Sequence, residues 1–265
     1  MDDAANPSPN GSGMKMQMQG GSAPADARDP HAYSGGLTLK SGPYAAGVGP
    51  GLRLGDEDAF GSVLFDNFEV VRSGGKSSGA YDVLARFGRD YNKLVIKAEG
   101  DVSAGKLQDA RTEALWSHAV STFWDTQLGL RQDSGVGPGR TWLAFGVQGL
   151  APYWFEVDAA AYVGNNGRTA LRLSAEYELL ITQRLIVQPR IEANFYGKRD
   201  PARDIGKGLS NMTTGVRVRY EFSRQLAPYI GVEWVNRFGA TADMARAAGE
   251  RSRNTRIVAG VRFWF

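Results

Sequence analysis

From Gly61 to Phe265 the chain is divided into segments of roughly ten residues in which apolar and polar side chains alternate. This period of two constrains the fold more than any other feature. In one segment Leu171, Leu173, Ala175, Tyr177 and Leu179 share a face, with Arg172, Ser174, Glu176 and Glu178 on the other. The order returns in Val187, Ile191, Ala193 and Phe195 against Gln188, Arg190, Glu192 and Asn194, and again in Val216, Val218, Tyr220 and Phe222 against Arg217, Arg219 and Glu221. Such segments are strands with one apolar face. The 34 glycines and 11 prolines demand many turns and leave little room for long helices.

A soluble sandwich with its apolar faces inside would show the same local alternation, so the connections must decide. Strands are expected near 62–72, 80–88, 92–101, 110–120, 122–131, 141–150, 154–163, 168–179, 184–196, 212–222, 226–237 and 254–265. Every second connection is then a tight turn, around Arg89, Ser121, Pro152, Gln183 and Arg224. The others are expected to be mostly longer, around Gly75, Gly105, Gly135, Gly206 and Arg246, with a short one at Asn165 and Asn166. Short turns at one end, long loops at the other and an even strand count predict a transmembrane antiparallel β-barrel of about twelve strands. No apolar run reaches the ~18 residues of a membrane helix, and the mean hydropathy of -0.33 suits strands that face lipid on one side and a lumen on the other.

The final strand adds its own evidence. Ile257, Ala259, Val261, Phe263 and Phe265 share a face, and the terminal aromatic falls where barrels carry an interfacial girdle. A terminal Phe of this kind resembles the signal read by the bacterial barrel-assembly machinery, an expected partner together with outer-membrane lipid. Pro189 removes a ladder donor within a strand and predicts a bulge there.

The alternation puts charges of both signs inside, to cross-link into a polar plug or to line a narrow water-filled path. Glu156, Asp158, Glu176, Glu178 and Glu192, on three neighbouring strands, are the candidate lumen pathway for a cation. Catalysis has little support. The two histidines are His31 and His118, and His118 falls on the outward face near the periplasmic end of its strand, so no enzyme is expected. The absence of cysteine excludes thiolate metal sites, and a net charge of +3 with scattered basic residues gives no footprint for nucleic acid.

Residues 1–60 are rich in Gly, Pro, Ser, Ala and Asp, lack a sustained period, and are expected to form a flexible arm. The first five residues lack the basic and apolar regions of a signal peptide, so an exported chain with this start is expected to be a processed form. Within the arm, Met14, Met16 and Met18 alternate with polar residues. An extended chain would place the three thioethers on one side, a soft donor set suited to Cu(I). His31, Met212 and Met244 are secondary metal candidates.

Several stretches of the chain, including Phe123-Trp124-Asp125, Gly149 to Val157, Ala227 to Trp234, Phe238 to Glu250 and the ending Phe263-Trp264-Phe265, resemble the copper resistance protein B family of Gram-negative outer membranes. The resemblance covers nearly all of residues 61–265. It implies an outer-membrane barrel, with its N-terminal arm in the periplasm, that handles copper by passage or sequestration and possesses a periplasmic copper protein as a partner. The arm departs from the family pattern in keeping one short Met cluster without repeated Met and His blocks. A generic solute pore and a barrel that only anchors a copper-binding arm are the alternative expectations.

Overall fold

The computed structural model describes residues 58–265, so Met14, Met16, Met18 and His31 lie outside the described residues. The strands are β1 Phe60–Ser73, β2 Lys76–Gly88, β3 Asn92–Ser103, β4 Lys106–Ser121, β5 Trp124–Gly135, β6 Arg140–Ala151, β7 Phe155–Gly164, β8 Thr169–Glu176, β9 Leu179–Leu180, β10 Leu185–Tyr196, β11 Gly208–Tyr220, β12 Leu226–Arg237 and β13 Arg253–Trp264. Each pairs antiparallel with its neighbours, and β13 pairs with β1 to close the ring. Both β8 and β9 pair with β10, so together they form one stave and the barrel has twelve. Closure pairs the staves around the ring, with only the short β9 unpaired on its second side, the condition for crossing a bilayer with sheet.

The break between β8 and β9 revises the expectation at Pro189. Register runs without slippage from Arg190 opposite Glu176 to Ile186 opposite Leu180, so there is no bulge. The Tyr177 amide still donates to the Pro189 carbonyl at 3.1 Å, while proline has no N–H to return. One missing bond interrupts the ladder without inserting a residue. Bulges occur elsewhere, notably at Asp66 in β1, where Phe65 faces Val83 and the next pair is Asn67 with Asp82.

The connections also differ from expectation at Gly75 and Gly105. Both are two-residue turns, because β2 and β4 begin earlier than the apolar alternation does. Gly74 and Gly75 have φ of 56° and 81°, and Ala104 and Gly105 have 50° and 71°, the left-handed pair that matches strand twist in a tight hairpin. Two long connections remain at that end, residues 197–207 and 238–252. The second contains α1, Gly239–Ala247, a helix that the period-two reading did not anticipate. Its end is fixed by Gly249 at φ 75°, with Gly249 N–H donating to Arg246 O at 3.0 Å and Glu250 N–H to Ala245 O at 2.8 Å, a Schellman closure.

Outward side chains are apolar around the ring: Phe68 and Val70 on β1, Leu128 and Leu130 on β5, Leu143 and Phe145 on β6, and Leu171 and Leu173 on β8 are all exposed. Exposed aromatics gather at the end that holds Phe60 and Phe265, among them Phe87, Phe123, Tyr153 and Trp154. Tyr153 and Trp154 both take φ of 66°, a conformation more usual for Asn-Gly, and Trp154 packs edge-on to Phe123. Inside, Val95, Leu115, Trp142, Ala144, Ala160, Tyr162 and Ala170 fill one side of the lumen with a largely apolar cluster. The polar side of the lumen holds the candidate site.

A charged septum in the barrel lumen

Two cavities occupy the lumen. One, of about 220 Å³, lies toward the end that holds Phe60 and Phe265; the other, of about 580 Å³, lies toward the long loops. Asp82, Glu99, Arg111 and Arg190 line both, so these four side chains mark the division between them. Strand pairing sets Glu99 on β3 opposite Arg111 on β4, where they form a close ion pair. From β8, Arg172 reaches Glu99 at 3.0 Å and Glu192 on β10 at 2.8 Å. Arg190 joins Glu192 at 3.4 Å and Asp82, on β2, at 3.7 Å. A continuous ionic network therefore crosses the lumen from β2 to β10 and from β8 to β3. With Glu113 beside Arg111 at 3.7 Å, four carboxylates meet three guanidiniums. Charged groups out of bulk water are tolerated when paired in this way, and the paired side chains form a charged septum between the two cavities.

A second buried group braces the wall. Arg217 on β11 contacts Glu69 at 3.1 Å and Glu233 at 2.8 Å, while the Tyr229 hydroxyl donates to Glu69 at 2.8 Å. Gly260 makes room for it, since a Cβ there would stand 2.6 Å from the Glu69 Cβ. Beside the apolar cluster, Arg131 lies over the Tyr162 ring at 4.4 Å and pairs with Asp133 at 2.7 Å, and Tyr162 donates to Glu113 at 2.8 Å.

The five carboxylates read from sequence as a cation pathway are distributed as follows. Glu156, Asp158 and Glu176 line the smaller cavity. Glu156 faces Glu176 in register across β7 and β8 and makes no ion pair among the described residues. Asp158 is held by Lys97, and Glu176 accepts a close hydrogen bond from Gln188. Glu178 pairs with Arg219 at 2.8 Å, and Glu192 belongs to the septum and the larger cavity. Among the described residues no group of three or more His, Cys, Asp or Glu is arranged to hold a metal ion. A cation here would meet successive single or paired carboxylates.

Of the secondary candidates, Met244 on α1 lines the larger cavity. Met212 takes the opposite parity from the lining residues Asn211 and Thr213 and so points outward. His118, also of outward parity, is bonded to Asn92 at 2.9 Å and lies beside Trp116. Sequence reasoning missed Asp66, which lines the smaller cavity and pairs with Arg262 at 2.8 Å. Its bulge shifts it to the inside; a carboxylate at lipid-facing parity was the available signal.

The larger cavity has a roof. Residues 197–207 fold inward, where Arg203 pairs with Asp109 of β4 at 2.7 Å and donates to Pro138 O at 3.1 Å. Asp200 receives two hydrogen bonds from Arg140, at 2.8 and 3.1 Å, and lies 3.3 Å from Arg168. The Arg140 hydrogen bonds hold the Asp200 carboxyl below the usual range, against the opposing effect of its burial. Gly206 N–H donates to Thr241 Oγ1 at 2.8 Å, tying the roof to α1.

A closed twelve-stave barrel with an apolar exterior, an interfacial aromatic band and an ionic lumen is a transmembrane protein of the outer-membrane barrel class. Residues 59–265 match the family described as Copper resistance protein B precursor (CopB), and the chain belongs to that family, which implies a role in copper resistance. It is 46% identical over 200 residues to the Copper resistance protein B homolog of Pseudomonas syringae pv. tomato, covering 76% of this chain and 68% of that one. It is 43% identical over 203 residues to Copper resistance protein B of Escherichia coli, covering 77% and 69%. Among solved structures, the NanC porin superposes with a TM-score of 0.51 at 10% identity, covering 77% of this chain and 99% of the porin, a likeness of fold.

Proposed function

We propose that the barrel passes copper ions, as cargo, through its lumen across the outer membrane, with the septum as the controlling constriction. The observation that carries this reading is the pair of lumen cavities separated by one layer of ion pairs, with Glu156, Asp158 and Glu176 on one side and Met244 on the other. Carboxylates stabilise an entering cation electrostatically, and the single or paired arrangement keeps binding weak enough for release. Met14, Met16 and Met18 capture Cu(I) before entry, from the periplasm, and hand it to or receive it from a periplasmic copper protein. In this reading the barrel reaches the membrane through the barrel-assembly machinery, and it acts as a transport protein with no enzymatic step.

Purified full-length protein in sealed vesicles tests the proposal. Copper should enter faster than in protein-free vesicles, and a neutral sugar of similar hydrated size should not. Tags inserted at Lys207 and Ala247 should be accessible on whole cells, which fixes the long loops outside and the arm inside; accessibility only after permeabilisation would reverse the orientation.

The continuity of the septum from β2 to β10 favours a second reading, in which the lumen stays shut and the barrel anchors the copper-binding arm. Equal copper flux with and without protein, together with Cu(I) binding by the arm, would select that reading.

A further inference from the structure

Arg72 and Arg253 are the only charged residues of outward parity in the described strands; the others line the lumen, pair across it or share the inward register at hairpin tips. On β1 the exposed face runs Phe68, Val70, Arg72, while Glu69 and Val71 between them are buried. On β13 the exposed face runs Arg253, Thr255, Ile257. The two strands are partners, with Arg72 opposite Ile257, so Arg253 stands four residues beyond the level of Arg72, both toward the long-loop end of neighbouring outward-facing columns. Both are exposed, and neither makes an ion pair or hydrogen bond among the described residues.

A guanidinium of lipid-facing parity costs several kcal/mol at the bilayer midplane and almost nothing at its edge, which sets both groups at headgroup depth. Arg72 and Arg253, on neighbouring strands and four residues apart in register, with no counter-ion among the described residues, present two guanidiniums to anionic groups fixed at the top of acyl chains. We infer that the β13–β1 seam binds the phosphates of a diphosphorylated glycolipid of the outer leaflet, its acyl chains lying along Phe68, Val70 and Ile257. Arginine suits phosphate through its planar fork, and two of them suit a headgroup with two phosphates. The choice of leaflet rests on the proposed orientation, with the long loops outside.

The test is lipid retention by the full-length protein in detergent, read by native mass spectrometry with diphosphoryl lipid A, its dephosphorylated form and phosphatidylglycerol as probes. The wild-type protein should retain diphosphoryl lipid A above both others. R72Q/R253Q should lose that retention roughly 30-fold, as expected for two surface cation–phosphate contacts. R199Q/K207Q, which removes exposed loop cations away from the seam, should not. Should the double variant fail to show the heat-modifiable mobility of a folded barrel, R72Q and R253Q are measured singly. Equal retention of the phosphorylated and dephosphorylated lipids, a preference for phosphatidylglycerol, or full retention by the seam variants would each overturn the assignment. No copper flux is read, so failure of the transport proposal leaves this result independent, and the tag experiment reports orientation separately.

Discussion

Arg172 on β8 and Glu99 on β3 meet at 3.0 Å although β4 to β7 separate their strands around one side of the ring. Replacing Arg172 with Gln leaves Glu99 and Glu192 facing each other without their shared cation. Breaking a buried pair in this way costs about 3 to 5 kcal/mol in a dry interior, less where lumen water reaches the carboxylates. Single-channel recordings of R172Q in planar bilayers should show a larger and more cation-selective conductance than the wild type. Unaltered conductance would mean that the constriction lies elsewhere.

Leu173 and Glu176 sit on the same strand and on opposite faces, one exposed and one lining the smaller cavity. Leu173→Arg places a cation in lipid and should destabilise the barrel by about 2 to 4 kcal/mol near the midplane. Glu176→Gln should fold normally and lower cation conductance. Denaturant unfolding in detergent micelles and in bilayers separates the two, since the penalty at Leu173 should shrink in micelles. Equal destabilisation by both would contradict the assigned faces.

The roof over the larger cavity should loosen in acid. With its folded pKa depressed by Arg140, Asp200 favours the closed roof at every pH above the ordinary aspartate value of about 3.9. That contribution disappears as pH falls from there through the lower folded value. Hydrogen exchange across residues 197–207 should rise over that interval. In D200N, which keeps the shape but not the charge, exchange should already be high at neutral pH and change little on acidification; strong pH dependence in D200N would assign the effect to another group.

The three arm methionines provide the remaining prediction. Changing Met14, Met16 and Met18 to Leu keeps side-chain size while removing the thioethers, so the barrel should fold as before and Cu(I) affinity in a competition assay should fall. Zinc binding should be nearly unaffected, because zinc prefers nitrogen, oxygen or thiolate donors. Undiminished Cu(I) binding would direct attention to Met244, the thioether in the larger cavity.

Much of the barrel can be read directly from the sequence because each stave repeats one instruction, apolar outward and polar inward, over about ten residues. The instruction fails where the chain leaves the bilayer. Lys76 to Ser78 and Lys106 to Gln108 continue as strand beyond the sustained apolar alternation, so the hairpins at Gly75 and Gly105 are tighter than expected. α1 is hidden because nine alanine-rich residues carry neither period strongly. The septum was less visible. Parity places Glu99, Arg111, Arg172 and Glu192 inside, but which of them meet depends on the height of each strand in the ring. That height is set by register and by the bulge at Asp66, neither of which local sequence specifies.

The seam between β13 and β1 adds a consequence for assembly. Before it closes, the sheet is an open ribbon in which Asp82 and Glu99 belong to an early part of the chain and Arg190, Glu192 and Arg172 to a later part. The charges of the septum therefore meet across the lumen only when ring closure creates one. A late strand lost to truncation would forfeit the closed wall and the cross-lumen ion pairs together.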